Sequence, residues 1–372
     1  MLSSILRRES PFIAGALTTA VLYTFGERWL HDLSNPLVFA ALFLWVFAVM
    51  LWCAFAVVRH ADSLAELLGE PYGTLILTIA VIGIEASVIA AIMLSGPDNP
   101  VLARDTMLAV IIIVLNGMVG IALLIGGLRH SEQEFNPEGA RAYLAVIVTL
   151  STTTLIMPTF TISTADPSLT PLQAIVFGTI TVALYLTFLG IQTVRHRGYF
   201  IQPAVAGTPV EDDQGEHQLV APRSTGYHAI FLLLTLLPIV LLSEKFAALV
   251  EHITEEFGAP VALSGVLVAL LVLAPEGLAA FRASYANHLQ RSVNICLGSA
   301  LSTIGLTVPT VLVIGLLANE HIILGLDGTE MVLLILTLFL SALTFGGVRT
   351  TVLNGAVHIV VFFVYLVLIF DP

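Results

Sequence analysis

Charge is scarce in this chain. Only 11% of its 372 residues are Asp, Glu, Lys or Arg, against about 25% in a soluble domain. Hydrophobic residues make up 57%, so too little charge is available to clothe a water-soluble surface, and a soluble globular protein is excluded. Cations are the scarcer sign, with 14 Lys and Arg against 26 Asp and Glu; a net charge of −12 offers no footing for nucleic acid. The only cysteines, Cys53 and Cys296, both fall in apolar runs, where thiols behave as small apolar residues. Neither a disulfide framework nor a redox centre is expected. The chain also lacks HExxH, GxGD, a pair of intramembrane aspartates and a basic headgroup cluster, so an intramembrane protease or lipid-modifying enzyme would be without its expected partners.

Long apolar runs are what the chain does have. A bilayer crossing takes roughly 20 residues, and segments of that kind lie near 11–30, 36–58, 72–95, 105–128, 142–162, 171–194, 227–246, 259–281, 292–317, 330–346 and 353–370. In lipid the backbone must satisfy its own polar groups, which favours helices. The predicted fold is therefore an all-α polytopic membrane protein with about eleven transmembrane helices. Segment 227–246 is the weakest, because Pro238 interrupts it and Glu244 and Lys245 close it. Arg7 and Arg8 precede the first run, but no small-x-small cleavage site follows, so this run reads as a retained helix rather than a signal peptide.

The cations are unevenly placed. Arg7, Arg8, Arg59, Arg129, Arg141, Arg195, Arg197, Arg223, Arg282, Arg291 and Arg349 fall in the tail and in the loops after even-numbered spans; only Arg28, Arg104 and Lys245 fall on the other side. The positive-inside rule then predicts a cytoplasmic N-terminus in a cell membrane, and an outside C-terminus at Asp371 and Pro372.

Two carboxylates break the apolar pattern: Glu85 in LILTIAVIGIEASVIAAIML and Glu276 in VALSGVLVALLVLAPEGLAAF. A carboxylate at such depth is costly and marks an ion or proton path. The flanks of the two segments correspond. Glu66, Gly69 and Pro71 precede one, and Glu255, Gly258 and Pro260 precede the other; Arg104 or Arg291 and a Gly-rich helix follow. Spans 2–6 and 7–11 thus form two five-helix repeats, and an odd helix number inverts the second copy, as in many transporters with a midplane site. The predicted divisions are 1–35 (tail and first helix), 36–198 (first repeat), 199–226 (acidic cytoplasmic loop) and 227–372 (second repeat).

Local sequence suits a cation. Pro275 removes a helical hydrogen bond beside Glu276, which would release backbone carbonyls. Gly83 and Gly277 permit close backbone approach. Hard cations take oxygen ligands, and Ser87, Ser264, Ser299, Ser302 and Thr303 supply hydroxyls, each of which could instead bond its own helix. Asn116 could be a ligand or a bond between helices. Two carboxylates in one dry site cannot both ionise cheaply. One divalent cation or two protons would neutralise them, and competition between the two gives exchange; the pair would titrate as a unit. The loop at 195–226 holds Glu211, Asp212, Asp213 and Glu216 without EF-hand spacing, and reads as a solvated linker or a weak cation collector. Among histidines near span ends, which include His196, His60 and His358 are candidate pH sensors, because His titrates near neutrality.

The stretches VVRHADSLAELLGEPYGTLILTIAVIGIEASVIAAIM, LAPEGLAAFRAS, LGSALSTIGLTVP, VRTTVLNGAVH and LYLTFLGIQTVRH resemble the cation/proton exchanger family of the calcium/cation antiporter superfamily. The resemblance extends over nearly the whole chain and implies antiport of inorganic cations against protons, with Glu85 and Glu276 binding both, Ca2+ as the leading cargo and no cofactor. Plant, fungal and many prokaryotic calcium exchangers carry Gly-Asn shortly before each central glutamate. Here those positions are Val81 and Ile82, then Val272 and Leu273, so Na+ or K+ exchange stays open beside Ca2+. A cation channel is the alternative from another class; cation-dependent proton release would separate the two.

Overall fold

A computed structural model describes residues 7–30, 32–69, 72–95, 100–203, 224–256, 258–260, 262–318 and 320–371. The acidic loop residues Glu211, Asp212, Asp213 and Glu216, and the turn residues Glu70 and Pro71, lie outside the described residues. The helices are α1 (Ser10–Leu30), α2 (Pro36–Leu68), α3 (Tyr72–Ser95), α4 (Leu102–His130), α5 (Pro137–Phe160), α6 (Pro171–Arg195), α7 (Thr225–Glu256), α8 (Ala262–Tyr285), α9 (Leu289–Ala318), α10 (Gly328–Thr344) and α11 (Val352–Phe370). Eight of them, namely α2 and α4–α9 with α11, are long and apolar enough to cross a membrane; α10 and the stretch Thr78–Ala91 of α3 are shorter apolar helices. The molecule is a multi-pass membrane protein. Large apolar side chains such as Leu17, Leu128, Leu317 and Phe363 point outward, where lipid rather than water receives them.

Helix starts follow from sequence. Asn35, Asn136 and Thr170 each precede a proline, and each side chain caps the first backbone amides of α2, α5 or α6. Capping boxes, Asp327 with Glu330 and Thr351 with Asn354, start α10 and α11. Gly69 and Gly258, in the corresponding turns before α3 and α8, both adopt positive φ (67° and 62°), which glycine alone adopts at no steric cost.

Two expectations, on the ends of α2 and α7, need correction. Helix α2 does not stop near residue 58 but continues to Leu68, because Ala61 and Leu64 extend its buried stripe. Helix α7 runs through Pro238 and past Glu244 and Lys245. The proline is seated where α1 passes closely: a Cβ on Gly15 would lie 2.9 Å from the Pro238 Cβ. Helix α8 is likewise continuous through Pro275. The irregular backbone sits in other helices, as π-helical segments at Ile113–Met118 of α4 and Thr303–Thr307 of α9, with two more in α5 and α6. Such segments recur at functional sites.

In the packing, α7 lies along α1, α2 and α3, and α8 against α4 and α9, while α11 covers α4 and α6 covers α9. Short links join the two halves at each end. At the arginine-rich end, β1 (Glu132–Glu134) pairs antiparallel with β2 (Arg349–Thr351), in register Glu132 with Thr351. At the other end a single antiparallel bridge joins Ser168 to Ile323.

Candidate functional site

Glu85 lies near the middle of the 24-residue α3, and Glu276 near the middle of the 24-residue α8. The two helices bring the carboxylates within electrostatic reach of each other. Glu85 is almost wholly buried, at 1% exposure. Its Oε2 accepts hydrogen bonds from Thr303 (3.1 Å) and Thr307 (3.0 Å), both on the π-helical segment of α9. A first-half carboxylate is thus held by second-half hydroxyls. Glu276 is hydrogen-bonded with Ser299, also on α9. One oxygen of each carboxylate, Glu85 Oε1 and Glu276 Oε2, is buried with no hydrogen-bond partner among the described residues. Buried orphan acceptors are costly unless something else satisfies them; a proton or a cation does so.

A cavity of about 310 Å³ adjoins Glu276 and extends past Ser299 and Ser302 to Asp62, Arg291 and Asn294. Asp62 and Arg291 place its far end at the arginine-rich face. Asp62 bears electrostatically on Glu276. At the opposite end, residues 323–326 are hydrogen-bonded to Pro100, Leu155 and Pro167 from the first half. No group of three His, Cys, Asp or Glu side chains that could hold a resident metal occurs among the described residues. The acidic centre is the two glutamates, and hydroxyls surround it.

The hydroxyls named from sequence divide. Ser299 and Thr303 reach the glutamates, and Ser302 borders the cavity while bonding Ser299 O at 3.0 Å. Ser87 is turned to its own helix, donating to Gly83 O at 2.5 Å. Ser264 is buried near the start of α8, twelve residues before Glu276, or about 18 Å along the axis, too far to share a ligand shell with it. Asn116 bonds Thr337 on α10 (2.7 Å) and His358 on α11 (3.1 Å). It is interhelical glue here. Its Oδ1 needs a donor, so His358 carries the proton on Nδ1, and Nε2 is left to accept from Thr344 at 3.0 Å.

His60 belongs to a separate cluster where α1, α2 and α7 meet. Its Nε2 lies 3.0 Å from Glu9, and its Nδ1 lies 3.0 Å from His228 Nδ1; Arg59 and Tyr227 also bond Glu9. Burial works against the Glu9 carboxylate, but Tyr227, His60 and Arg59 outweigh it and hold its carboxyl below the usual range.

Sequence reasoning missed Thr307, Asp62 and the length of α2 that carries Asp62. Thr307 had a readable signal: it lies four residues after Thr303, the spacing that puts two side chains on one helical face.

A model of the family described as sodium/calcium exchanger protein matches residues 38–194 and again 227–370. The chain belongs to that family. It lies within the calcium/cation antiporter superfamily, as a cation/proton exchanger and not an enzyme. A Sinorhizobium fredii protein named as an ionic transporter, y4hA, is 41% identical over 315 residues, covering 84% of this chain and 84% of its own. The sodium-potassium/proton antiporter ChaA of Escherichia coli K12 is 37% identical over 363 residues, covering 98% and 96%. Among solved structures, native YfkE superposes with a TM-score of 0.73 at 19% identity, over 97% of this chain and 100% of its own. At that identity the likeness concerns the fold.

Proposed function

We propose that this exchanger moves cations against protons by alternating access, with Glu85 and Glu276 as the shared site for both. The observation that carries the reading is the pair of buried carboxylates, one from each half, each with one unsatisfied oxygen, with a cavity on the arginine-rich side adjoining Glu276. With both glutamates protonated, or with one divalent cation between them, the site is close to neutral. Emptied and ionised, it would hold uncompensated charge in a low-dielectric interior, and reorientation in that state is disfavoured. Cation and proton therefore take turns.

Ca2+ is the proposed cargo on charge, because two carboxylates match one divalent ion and the surrounding hydroxyls of Ser299, Thr303 and Thr307 are hard oxygen donors. A specific observation favours a second reading, Na+ or K+: the relative matched over 98% of this chain is named a sodium-potassium/proton antiporter, and Val81, Ile82, Val272 and Leu273 supply no side-chain amide. Flux into inverted vesicles under an imposed pH gradient, with Ca2+, Na+ and K+ added in turn, tests both. The expected result is dissipation of the gradient on cation addition. Cation flux with no proton movement would leave a channel or uniporter as the better account.

The proposed architecture is eleven spans, α1 followed by two inverted five-helix repeats. Support comes from corresponding helix lengths, 33 and 32 residues for α2 and α7, 24 and 24 for α3 and α8, and 29 and 30 for α4 and α9. The double family match and the paired positive-φ glycines agree with it. The basic split gives a cytoplasmic N-terminus. A reporter fused after Pro372 is then expected to be active only on the non-cytoplasmic side; activity in the cytoplasm would overturn the span count or the orientation.

A further inference from the structure

A cluster of ionisable side chains lies apart from the glutamate site, at the arginine-rich end of the molecule. Glu9, just before α1, is buried there at 2% exposure, and His60 of α2 and His228 of α7 at 0% and 1%. Three donors converge on the Glu9 carboxyl: Arg59 on Oε2 (2.9 Å), Tyr227 on Oε1, and His60 Nε2, 3.0 Å from Oε2. A protonated carboxyl would turn its own O–H toward one of them, so Glu9 is ionised and His60 Nε2 carries a hydrogen. In a neutral His60 ring the other nitrogen, Nδ1, is then a bare acceptor. His228 Nδ1, 3.0 Å away, must supply the hydrogen between them. One carboxylate thus fixes the tautomers of two rings, one on each of two helices.

These hydrogens balance only while both rings are neutral. A further proton can enter at His60 Nδ1, where it meets the His228 N–H and breaks the contact. It can instead enter at the far nitrogen of His228, where it adds a second cation to a buried cluster that already holds Arg59. Two imidazolium rings this close would repel, so acid works against the join of α2 and α7 by either route. The leading electrostatic influences on His60 are Glu9, Arg59 and His228, and Arg8 bears on Arg59. Phe231 of α7 stacks on the His60 ring. Helices α3 and α8 also pack against α2, but their charged groups, Glu85, Glu276 and Arg282, are not among those influences. Asp62, two residues after His60, bears instead on Glu276. Along α1 and α7 the next ionisable pair, Tyr23 and Glu244, is bonded to itself much further down the helices.

We propose that Glu9, His60 and His228 form a pH-operated clamp, which when neutral fastens the chain before α1, α2 and α7 together, and which protonation from the arginine-rich side releases, slowing exchange. What the clamp holds is next to the working parts. Helix α7 lies along α3, which carries Glu85, and α2 places Asp62 in the wall of the cavity beside Glu276. The rings sense the ion that the exchanger carries at a place apart from the two intramembrane glutamates, so the clamp sets the rate and leaves the stoichiometry alone. The inference rests on cation/proton exchange and not on which cation is the cargo.

Two effects of acid are separable. Competition at Glu85 and Glu276 raises the half-saturating cation concentration and is overcome by more cation, whereas the clamp lowers the rate at saturating cation. The His60→Gln/His228→Gln protein keeps amide donors and acceptors in the cluster but cannot take up a proton there. In vesicles with the arginine-rich face outward, the outside pH is lowered through about 6.5, where histidine ordinarily titrates. The saturated rate of the parent is expected to fall several-fold more than that of the double variant, each relative to its own rate at alkaline pH. An acid limb of the same depth in both proteins, or a parent rate that rises, would overturn the clamp. A second measurement does not depend on transport. Spin labels are placed at Glu66→Cys and Thr225→Cys, exposed near the joined ends of α2 and α7, in a Glu85→Gln/Glu276→Gln background whose site cannot titrate. The two native cysteines are buried. The distance between the labels is expected to lengthen or broaden on the same acidification. A distribution that ignores pH would overturn the clamp, whatever the histidine variants do.

Discussion

Glu85→Gln and Glu276→Gln are each expected to abolish exchange while the protein still reaches the membrane. Glutamine keeps the size and one oxygen of the side chain, but it carries neither the charge nor the titrating proton. Removing one unit charge about 4 Å from a bound cation costs about 4 kcal/mol at an effective dielectric near 20, roughly a thousandfold in affinity. The hydroxyls around Glu85 should give a graded series. Thr303→Val and Thr307→Val each delete one hydrogen bond to that carboxylate, worth about 1.5–3 kcal/mol when the acceptor is charged. Ser87→Ala deletes a bond to its own helix and is expected to transport nearly as the parent does. Vesicle flux normalised to membrane abundance reads all of these. Near-normal exchange in Glu85→Gln would sink the paired-carboxylate mechanism.

The second large effect is proton release on cation binding. If cation and proton compete for the same two carboxylates, their affinities are linked. Lowering the pH must then raise the apparent cation dissociation constant, and cation binding must expel protons. Release per Ca2+ should approach two where both glutamates begin protonated, and should shrink as the pH rises past their shared titration range. The two act as one titrating pair, so a single curve belongs to both. Calorimetry in buffers of different ionisation enthalpy counts the protons. Tight binding with no proton release at any pH would make Glu85 and Glu276 structural hydrogen-bonding residues, and the chain a channel or uniporter.

Much of this site could be read from the sequence because lipid makes the code severe. A carboxylate in the middle of an apolar run stands out when the solvent is hydrocarbon, so Glu85 and Glu276 were visible without coordinates. Ser299 and Thr303 were visible as hydroxyls on the next helix. Their neighbours Ser87 and Ser264 looked equally good, because a hydroxyl serves its own backbone as readily as a ligand. Only the rotation and depth of each helix separate the two uses. Asn116 was ambiguous for the same reason, and the approach of Thr337 and His358 decided it. Thr307 was overlooked although its four-residue spacing from Thr303 was legible; the π-helical turn at Thr303–Thr307 that carries both, by contrast, is announced by no residue type.

By itself the sequence determined the membrane class, most of the helical segments and the two intramembrane glutamates, and it suggested a kinship of the two halves. These follow from one-dimensional quantities, namely run length, the cost of burying charge, and recurrence of a Gly-x-Pro turn before each glutamate. The helix ends were less secure. Leu68 and Glu256 close α2 and α7 well beyond the apolar runs, at positions that hydropathy does not mark. The tertiary structure alone decided which face carries the cavity beside Glu276. Both ends are built from residues far apart in the chain: Asp62 with Arg291 at one, and Pro100, Pro167 and Arg104 with residues 320–327 at the other. Such residues meet only when the helices pack, so no local stretch of sequence announces the arrangement at either end.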